Sequence, residues 1–600
     1  MLAPPFRSNR DKGEAPMESV PPPSTGRPRP HAVSEEQLGF RPQRAVRWLS
    51  PGVLIGTGAR SLMASIFGSY ADKRELQGTL PATVHEHGEP DELWLDFVAD
   101  LGDGFDATYS IASLLAAPEL RPDGADRPLP RGRLLVMGGD EVYPAASTRA
   151  YEDRSKGVYR AALPAAPEGD RPTLFALPGN HDWYDGLTAF LRVFAQRRPI
   201  GGWATEQTRS YFAVELPQRW WLLAIDTQFD DYVDAPQLEY FRAVAQRIEP
   251  GDAVILCTPS PSWVPAGSGG RTKGYDTVEF FLREIVRPRG ASVPLMLTGD
   301  KHHYVRYAER DGTAQRITCG LGGAYTVGTH TMPAQLRLPP PASRVREPSE
   351  ARHYDLRSRY PGRGQSERLA AGIVRLPWRN PGFWGLTGLL QTVMTLAVLF
   401  GLGEPAGSGV FGQLAAWTPT AVAAAVLMLA GVAFARFDLP RTDRTSALAG
   451  IVHAAAHLAL SVAWALTIRW LSGQLPDGAG SDWLVFAVVA LGTPLVVGFV
   501  DAELVALYLL LASRAGINSN EVFAGQGIED HKGFLRLHID AEGTLTVYPI
   551  KLRSVCRRWR ADPDGAPDDP WLLPSVALDP ELIEAPVRIP RPAAPEAEPG

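Results

Sequence analysis

Four short turns carry the residue types of metal or hydrolytic chemistry, and each follows an apolar run. They are Asp100-Leu101-Gly102-Asp103-Gly104, Gly138-Gly139-Asp140, Gly179-Asn180-His181-Asp182 and Gly299-Asp300-Lys301-His302-His303. Carboxylate, amide and imidazole are hard or borderline donors suited to Mn, Fe, Mg or Zn. Glycine beside them lets backbone approach an ion or a phosphate without a side chain in the way. One such turn is ordinary, because Asp and Asn are common turn residues. Four in succession point to a shared site. Asp103 and Asp300 can join it as ligands or can simply cap a helix or accept turn hydrogen bonds. His303 and His330 read as surface or core histidines, and Gly320-Leu321-Gly322-Gly323-Ala324 as a glycine cluster closing a strand. Tyr143, Trp183 and Trp263 fall beside the turns and are candidate substrate contacts.

The elements that must hold these turns are short. Apolar runs at Leu93–Ala99, Leu134–Met137, Leu174–Leu177, Tyr211–Leu216, Trp220–Ile225, Val254–Cys257 and Leu295–Leu297 are separated, in several places, by stretches long enough for a helix. Examples of those stretches are Ser110–Ala117, Leu187–Gln196 and Pro236–Ile248. Strands alternating with helices predict an α/β domain with a buried sheet. In such sheets ligands bind beyond the carboxyl ends of the strands.

In this order and spacing the turns resemble the calcineurin-like metallophosphoesterases, over about 240 residues from Asp96 to His330. Leu177-Pro178-Gly179-Asn180-His181-Asp182 is the most specific element, supported by Gly139-Asp140-x-x-Tyr143. The resemblance implies a β-sandwich flanked by helices and a centre of two divalent metal ions. It implies that Asp140 bridges both metals, that Asp100 and His302 are ligands, and that Asn180 is the amide ligand of the second metal. It makes His181 the non-ligand imidazole at the leaving oxygen, with Asp182 orienting it or its loop. Three imidazoles of the family pattern are missing: Gly102 stands in the first motif, Thr258-Pro259-Ser260-Pro261-Ser262-Trp263 in the fourth, and Asp300 in the last. With Asp103 and Asp300 as replacement ligands the site is harder and more anionic, which favours Mn or Mg over Zn. The implied reaction is in-line attack of metal-activated water on phosphorus, assisted by His181 as acid or charge stabiliser.

The remainder of the 600 residues sets the location. Apolar segments near residues 383–402, 415–435, 447–468 and 483–505 each reach the about 20 residues a spanning helix needs. Basic residues precede the first; Glu404 alone lies between the first and second, Arg436, Arg441 and Arg444 between the second and third, Arg469 against Asp477 and Asp482 between the third and fourth, and Arg514 follows the fourth. The positive-inside rule then puts both termini and the α/β domain in the cytoplasm. Within the spans, His453 and His457 share a helix face, and with Asp501 and Glu503 they form a candidate intramembrane polar site. A net charge of −6 argues against a nucleic-acid partner, and three scattered cysteines against a disulfide or Cys-rich metal scaffold.

The expected layout is a disordered tail (1–40), a cytoplasmic phosphoesterase-like domain (41–332), a Pro/Arg-rich connector (333–381) and four spans (382–513). A β-hairpin segment (514–560) and a flexible tail (561–600) follow. The expected fold class is α/β plus an all-α transmembrane bundle. The expected function is a membrane-anchored, metal-dependent phosphoesterase for a phosphate ester or pyrophosphate, with a lipid-linked substrate attractive. The alternatives are a catalytically inactive metal- or phosphate-binding sensor, and an ion-transporting bundle with a regulatory domain.

Overall fold

Apolar side chains alternating in and out along short strands build two mixed sheets, in which successive residues face opposite sides. The computed structural model describes residues 29–67, 73–228, 231–403, 409–436, 444–476 and 478–591. Glu404, Arg441 and Asp477, residues 1–28 and residues 592–600 lie outside them. One sheet runs Pro580–Leu582, Leu545–Leu552, Lys532–Ile539, Leu93–Val98, Leu134–Met137, Thr173–Ala176, Ala204–Thr205, with Val587–Ile589 also on Leu545–Leu552. Its strands from Leu93 to Thr205 are parallel. The other sheet runs His85–Glu86, Phe212–Leu216, Trp220–Ala224, Ala253–Cys257, Ser292–Thr298, Gln315–Cys319, Tyr304–Glu309, Arg352–Tyr360, Gln335–Leu338.

The inner faces meet. Leu95, Phe97, Val136 and Phe175 of the first sheet share one apolar cluster with Phe212, Leu222, Ile255 and Leu297 of the second. Helices cover the outer faces: Phe105–Ala116 contributes Tyr109, Ile111 and Leu115 on one side, and Ala235–Ala245 and Lys273–Phe281 contribute Phe241, Val244 and Phe281 on the other. At about 1.5–3 kcal/mol per fully buried large apolar side chain, these layers fix the strand ends in place.

The structure departs from the expected layout. The hairpin Lys532–Ile539/Leu545–Leu552 is no appendage, because its first strand pairs antiparallel with Leu93–Val98. There Arg536 grips Asp96 through both carboxylate oxygens at 2.8 and 3.0 Å, with both side chains buried. The connector contributes two strands, Gln335–Leu338 and Arg352–Tyr360, to the second sheet. Beyond residue 560, Trp571 and Leu572 pack into the core, as do Leu38 and Phe40 from the stretch expected to be an N-terminal tail.

Five longer helices stand beside the sheets. Helix α1 (Pro51–Phe67) lies next to the Asp182–Asp185 turn. The others, α2 (Pro381–Leu402), α3 (Val410–Ala435), α4 (Arg444–Ser472) and α5 (Gly480–Ser513), are each long and apolar enough to cross a membrane. They pack on small residues: a Cβ on Gly450 would lie 2.4 Å from the Gly431 carbonyl oxygen, so α3 and α4 approach only because both positions lack a side chain. Outward they present Leu389, Phe411, Leu429 and Leu491. Pro494 sits in a π-helical stretch, Val488–Val497, where the regular hydrogen-bond ladder of α5 is interrupted.

Candidate functional site

The first and last of the four turns leave strands of different sheets, and both come to one place. Asp100 follows Leu93–Val98, Asp140 follows Leu134–Met137, and Asp300 and His302 follow Ser292–Thr298. All four residues adopt left-handed backbone, with φ of 58°, 55°, 71° and 46°. That conformation costs a residue with a Cβ, and persists where the surroundings enforce it, commonly at functional sites. Here the enforcement is backbone lacing: Asp100 N–H donates to Gly139 O at 2.9 Å, Leu101 N–H to Asp140 O at 3.0 Å, and Val327 N–H to His302 O at 3.0 Å.

The centre of the cluster is the Tyr143 hydroxyl. It lies 2.9 Å from Asp100 Oδ1, 3.1 Å from Asp140 Oδ2 and 3.0 Å from His302 Nε2. One phenolic proton cannot satisfy two carboxylates. Asp100 Oδ2 and His302 Nδ1 are buried without a hydrogen-bond partner. Burial, and next the Asp300 carboxylate, push the Asp100 carboxyl well above its ordinary range. Burial does the same to Asp140, with Asp100 and Asp182 adding to it. His302 is pushed the other way, by burial and then by the Lys532 ammonium. The cluster is thus short of positive charge.

Glycines hold the carboxylates closely. A Cβ at Gly179 would fall 2.1 Å from Asp140 Oδ1, and one at Gly320 would fall 2.0 Å from Asp100 Oδ2. Gly102, where the family pattern has histidine, has a φ of 73° and room for no side chain: its Cβ would meet the Glu141 carbonyl oxygen at 2.3 Å. Thr258, at the end of Ala253–Cys257, turns its hydroxyl to Ser260 O at 3.2 Å and brings no imidazole.

The Gly179-Asn180-His181-Asp182 loop is pinned on several sides. Asp182 is fully buried; it accepts from the Tyr151 hydroxyl and from the Gly179 and Glu141 amides, so it shapes the loop from behind. Trp183 is buried with its Nε1 on Asp226 at 3.2 Å and the Arg74 guanidinium over its ring, which makes it an anchor and not a pocket wall. Asn180 donates to the Tyr184 hydroxyl at 3.1 Å. The partly exposed His181 receives the Trp48, Tyr143 and Tyr184 rings at 5.4, 4.5 and 4.9 Å between centroids. Its Nδ1 lies 2.8 Å from Pro144 O. A carbonyl only accepts, so Nδ1 carries the proton and Nε2 is the acceptor in the neutral ring. Desolvation pushes this imidazole down to about 4.

Other residues named from sequence take different roles. Asp103 is buried and accepts from the Val46 amide at 2.7 Å, tying down the N-terminal segment. Asp300 stays near the cluster through its charge, with its Oδ2 3.0 Å from Lys301 Nζ. Trp263 is fully buried in the core of the second sheet. His330 bonds Ser366 Oγ at 2.7 Å, away from the cluster.

Sequence reasoning missed Trp48, Tyr325 and Lys532. Trp48 packs on Tyr143 and Tyr325, and Tyr325 on the His302 ring at 4.5 Å. Lys532, from the hairpin beyond the bundle, is buried beside Asp103 and Asp100 and donates to Thr326 Oγ1 at 2.6 Å. The available signal was a strand carrying Lys532, Arg536 and His538 among apolar residues.

Among the described residues, no group of three or more His, Cys, Asp or Glu side chains is arranged to hold a metal unaided. Asp100, Asp140 and His302 instead converge on the Tyr143 hydroxyl oxygen, which occupies the point they share. The donors themselves, three oxygens and one nitrogen with an orphaned Asp100 oxygen, are of the type a hard cation takes. Asp103 and Asn180 are engaged by other partners, the Val46 amide and the Tyr184 hydroxyl. Compared with known proteins, the chain matches no family model and no curated protein.

In the bundle, His453, His457 and Asp501 do meet. Asp501 Oδ1 lies 2.5 Å from His457 Nδ1 and accepts from Gln391 Nε2 at 2.7 Å, and His457 Nε2 lies 2.8 Å from His453 Nε2. Glu503, two residues along α5, is partly exposed and outside this network.

Proposed function

We propose that the chain is a metal-dependent phosphoesterase of the calcineurin-like, β-sandwich type, carried on a four-helix membrane anchor. It hydrolyses a phosphate ester or pyrophosphate on the cytoplasmic face. The observation that carries this reading is the convergence of Asp100, Asp140 and His302, from the strand ends of two sheets, on the Tyr143 hydroxyl. Asp100, Asp140, Tyr143 and His302 would hold the ion, which supplies Lewis acidity for displacement at phosphorus when bound. His181 is uncharged at neutral pH and offers Nε2, so it accepts a proton from water or a hydrogen bond from substrate; it acts as an acid only after protonation. Trp48, Tyr184 and Tyr325 wall the site with aromatic surface, and Lys301 supplies an exposed cation at its edge.

A lipid-linked phosphate suits the surroundings. Helix α1 runs beside the Asp182–Asp185 turn and reaches α2, leaving Leu54, Ile55 and Met63 exposed next to the bundle. A second reading, a binding domain without turnover, is favoured by the absence of space for an imidazole at Gly102. The purified full chain, assayed on a phosphodiester with Mn, Fe, Mg or Zn, separates the two. Hydrolysis that disappears in Asp140→Ala supports the enzyme, and equal background in both proteins supports the binder.

A further inference from the structure

The buried polar cluster of the bundle has no part in phosphoester hydrolysis, and its chemistry is specific. Asp501 is fully buried, and its Oδ2 has no hydrogen-bond partner. Around it run Ser461 Oγ to Gln391 Oε1 at 2.7 Å, Gln391 Nε2 to Asp501 Oδ1, Asp501 to His457, and His457 to His453. The two imidazoles face each other through Nε2 atoms 2.8 Å apart, so one must donate and the other accept. With Asp501 ionised and both rings neutral, His457 donates Nδ1–H to the carboxylate and accepts at Nε2 from His453. That state leaves one negative charge inside an apolar bundle. Adding one proton to the pair of rings cancels it, which is the cheaper state in such surroundings.

Among the described residues, the groups facing the cluster from each packed helix supply no competing cation. From α2 they are Gln391 and Thr395, and from α3 the Phe434 ring, 6.4 Å from His453. From α5 they are Asp501 and Tyr508, whose ring stacks on His453 at 3.9 Å and 1°. Charged groups beyond them include Glu521, past Tyr508, and Arg436, which follows α3. Glu503 lies off this line.

The line also has a direction. His453 is capped by Tyr508, whose hydroxyl donates to Asn518 Oδ1 at 2.8 Å in the turn leading back to the soluble domain. Two residues on, Asn520 Oδ1 accepts from the Tyr325 hydroxyl at 3.1 Å. Away from that side, the network ends at Ser461; beyond it α4 buries Ala465 and Ile468, and α2 buries Val398. We propose that His453, His457 and Asp501 form a proton-binding site reached from the soluble domain's side, and that the bundle stores this proton without passing it across.

The test uses the full chain in lipid nanodiscs and in liposomes, and does not depend on phosphoesterase activity. Infrared difference spectra across a pH titration should show coupled carboxyl and imidazole bands with one midpoint. These bands should vanish in Asp501→Asn and move to a different midpoint in His453→Gln, which keeps hydrogen-bonding atoms at that position. Liposomes holding the wild-type chain should keep an imposed pH gradient as long as protein-free liposomes do. Identical spectra in wild type and both variants would overturn the site. A gradient that the wild type dissipates and Asp501→Asn preserves would overturn storage in favour of conduction.

Discussion

The strand-end cluster and the bundle cluster both bury aspartate against histidine, yet they solve the problem differently. In the two-sheet domain, Asp100, Asp140 and His302 surround a single hydroxyl that cannot satisfy them all, and Asp100 keeps an orphaned oxygen. Left-handed backbone at Asp100, Asp140, Asp300 and His302, with glycine cradles at Gly179 and Gly320, holds that deficit in place. In the bundle, Asp501 is bonded by Gln391 and His457, and His457 by His453, in regular helix. Enforced backbone strain with missing positive charge suits an ion arriving from outside. A chain of paired donors and acceptors suits a proton.

Breaking the first half of that comparison should give the largest effect. Asp140→Ala removes the carboxylate between the Tyr143 hydroxyl and the His181 amide, and should reduce metal-dependent hydrolysis to background in a phosphodiester assay. Next is the fold beneath it. Asp96→Ala strands the buried Arg536 guanidinium and should cost about 3–5 kcal/mol, read as a lower unfolding midpoint of the detergent-solubilised chain. Tyr143→Phe keeps the ring packing and removes only the shared hydroxyl. It should weaken metal affinity by about 10–100-fold, measured by competition with a chelator, and leave the bundle's spectra untouched.

A smaller effect comes from Lys532, which burial pushes down to about 7 from an ordinary 10.5 although nearby Asp103 opposes it. Between those values the unfolded chain holds a proton that the folded chain has released. Stability should therefore climb as pH rises from about 7 toward 10.5, by up to about 1.4 kcal/mol per unit. Lys532→Met should flatten that climb in denaturation curves taken across the window. Trp263→Phe, deep in the core of the second sheet, should leave KM unchanged, because the ring touches no part of the cluster.

Much of this arrangement was legible from residue order. The runs ending before Asp100 and Asp140 are strands within a residue of where the continuous apolar runs put them, because both faces of those strands are buried. The four helices long and apolar enough to cross a membrane stand out as well, since they carry apolar residues nearly all round. Arg352–Tyr360 was hidden because it lies one strand from the sheet edge. It buries Tyr354 and Tyr360 while Arg352, Arg357 and Arg359 leave the core, so composition resembles a linker. The pairing of Lys532–Ile539 with Leu93–Val98 was hidden for another reason: alternation marks a strand but does not name its neighbour.

At the site, glycine next to Asp marked where carboxylates gather, but not which side chains complete them. Tyr143 reads as a substrate contact and stands at the centre; Asp103 reads as a ligand and holds down Val46. Spacing along the chain is silent on which way a side chain turns after a left-handed residue. In the bundle, the four-residue spacing of His453 and His457 placed them on one face. Their meeting with Asp501, and the exclusion of Glu503, depended on how α5 is rotated.

The most direct test titrates metal-free full-length protein with Mn while following phosphodiester hydrolysis and bound metal together. Activity that rises with occupancy, levels off near one ion per chain and is lost in Tyr143→Phe at the same metal concentration is the predicted result. Binding with no hydrolysis at any occupancy, or hydrolysis indifferent to the loss of the Tyr143 hydroxyl, would contradict it.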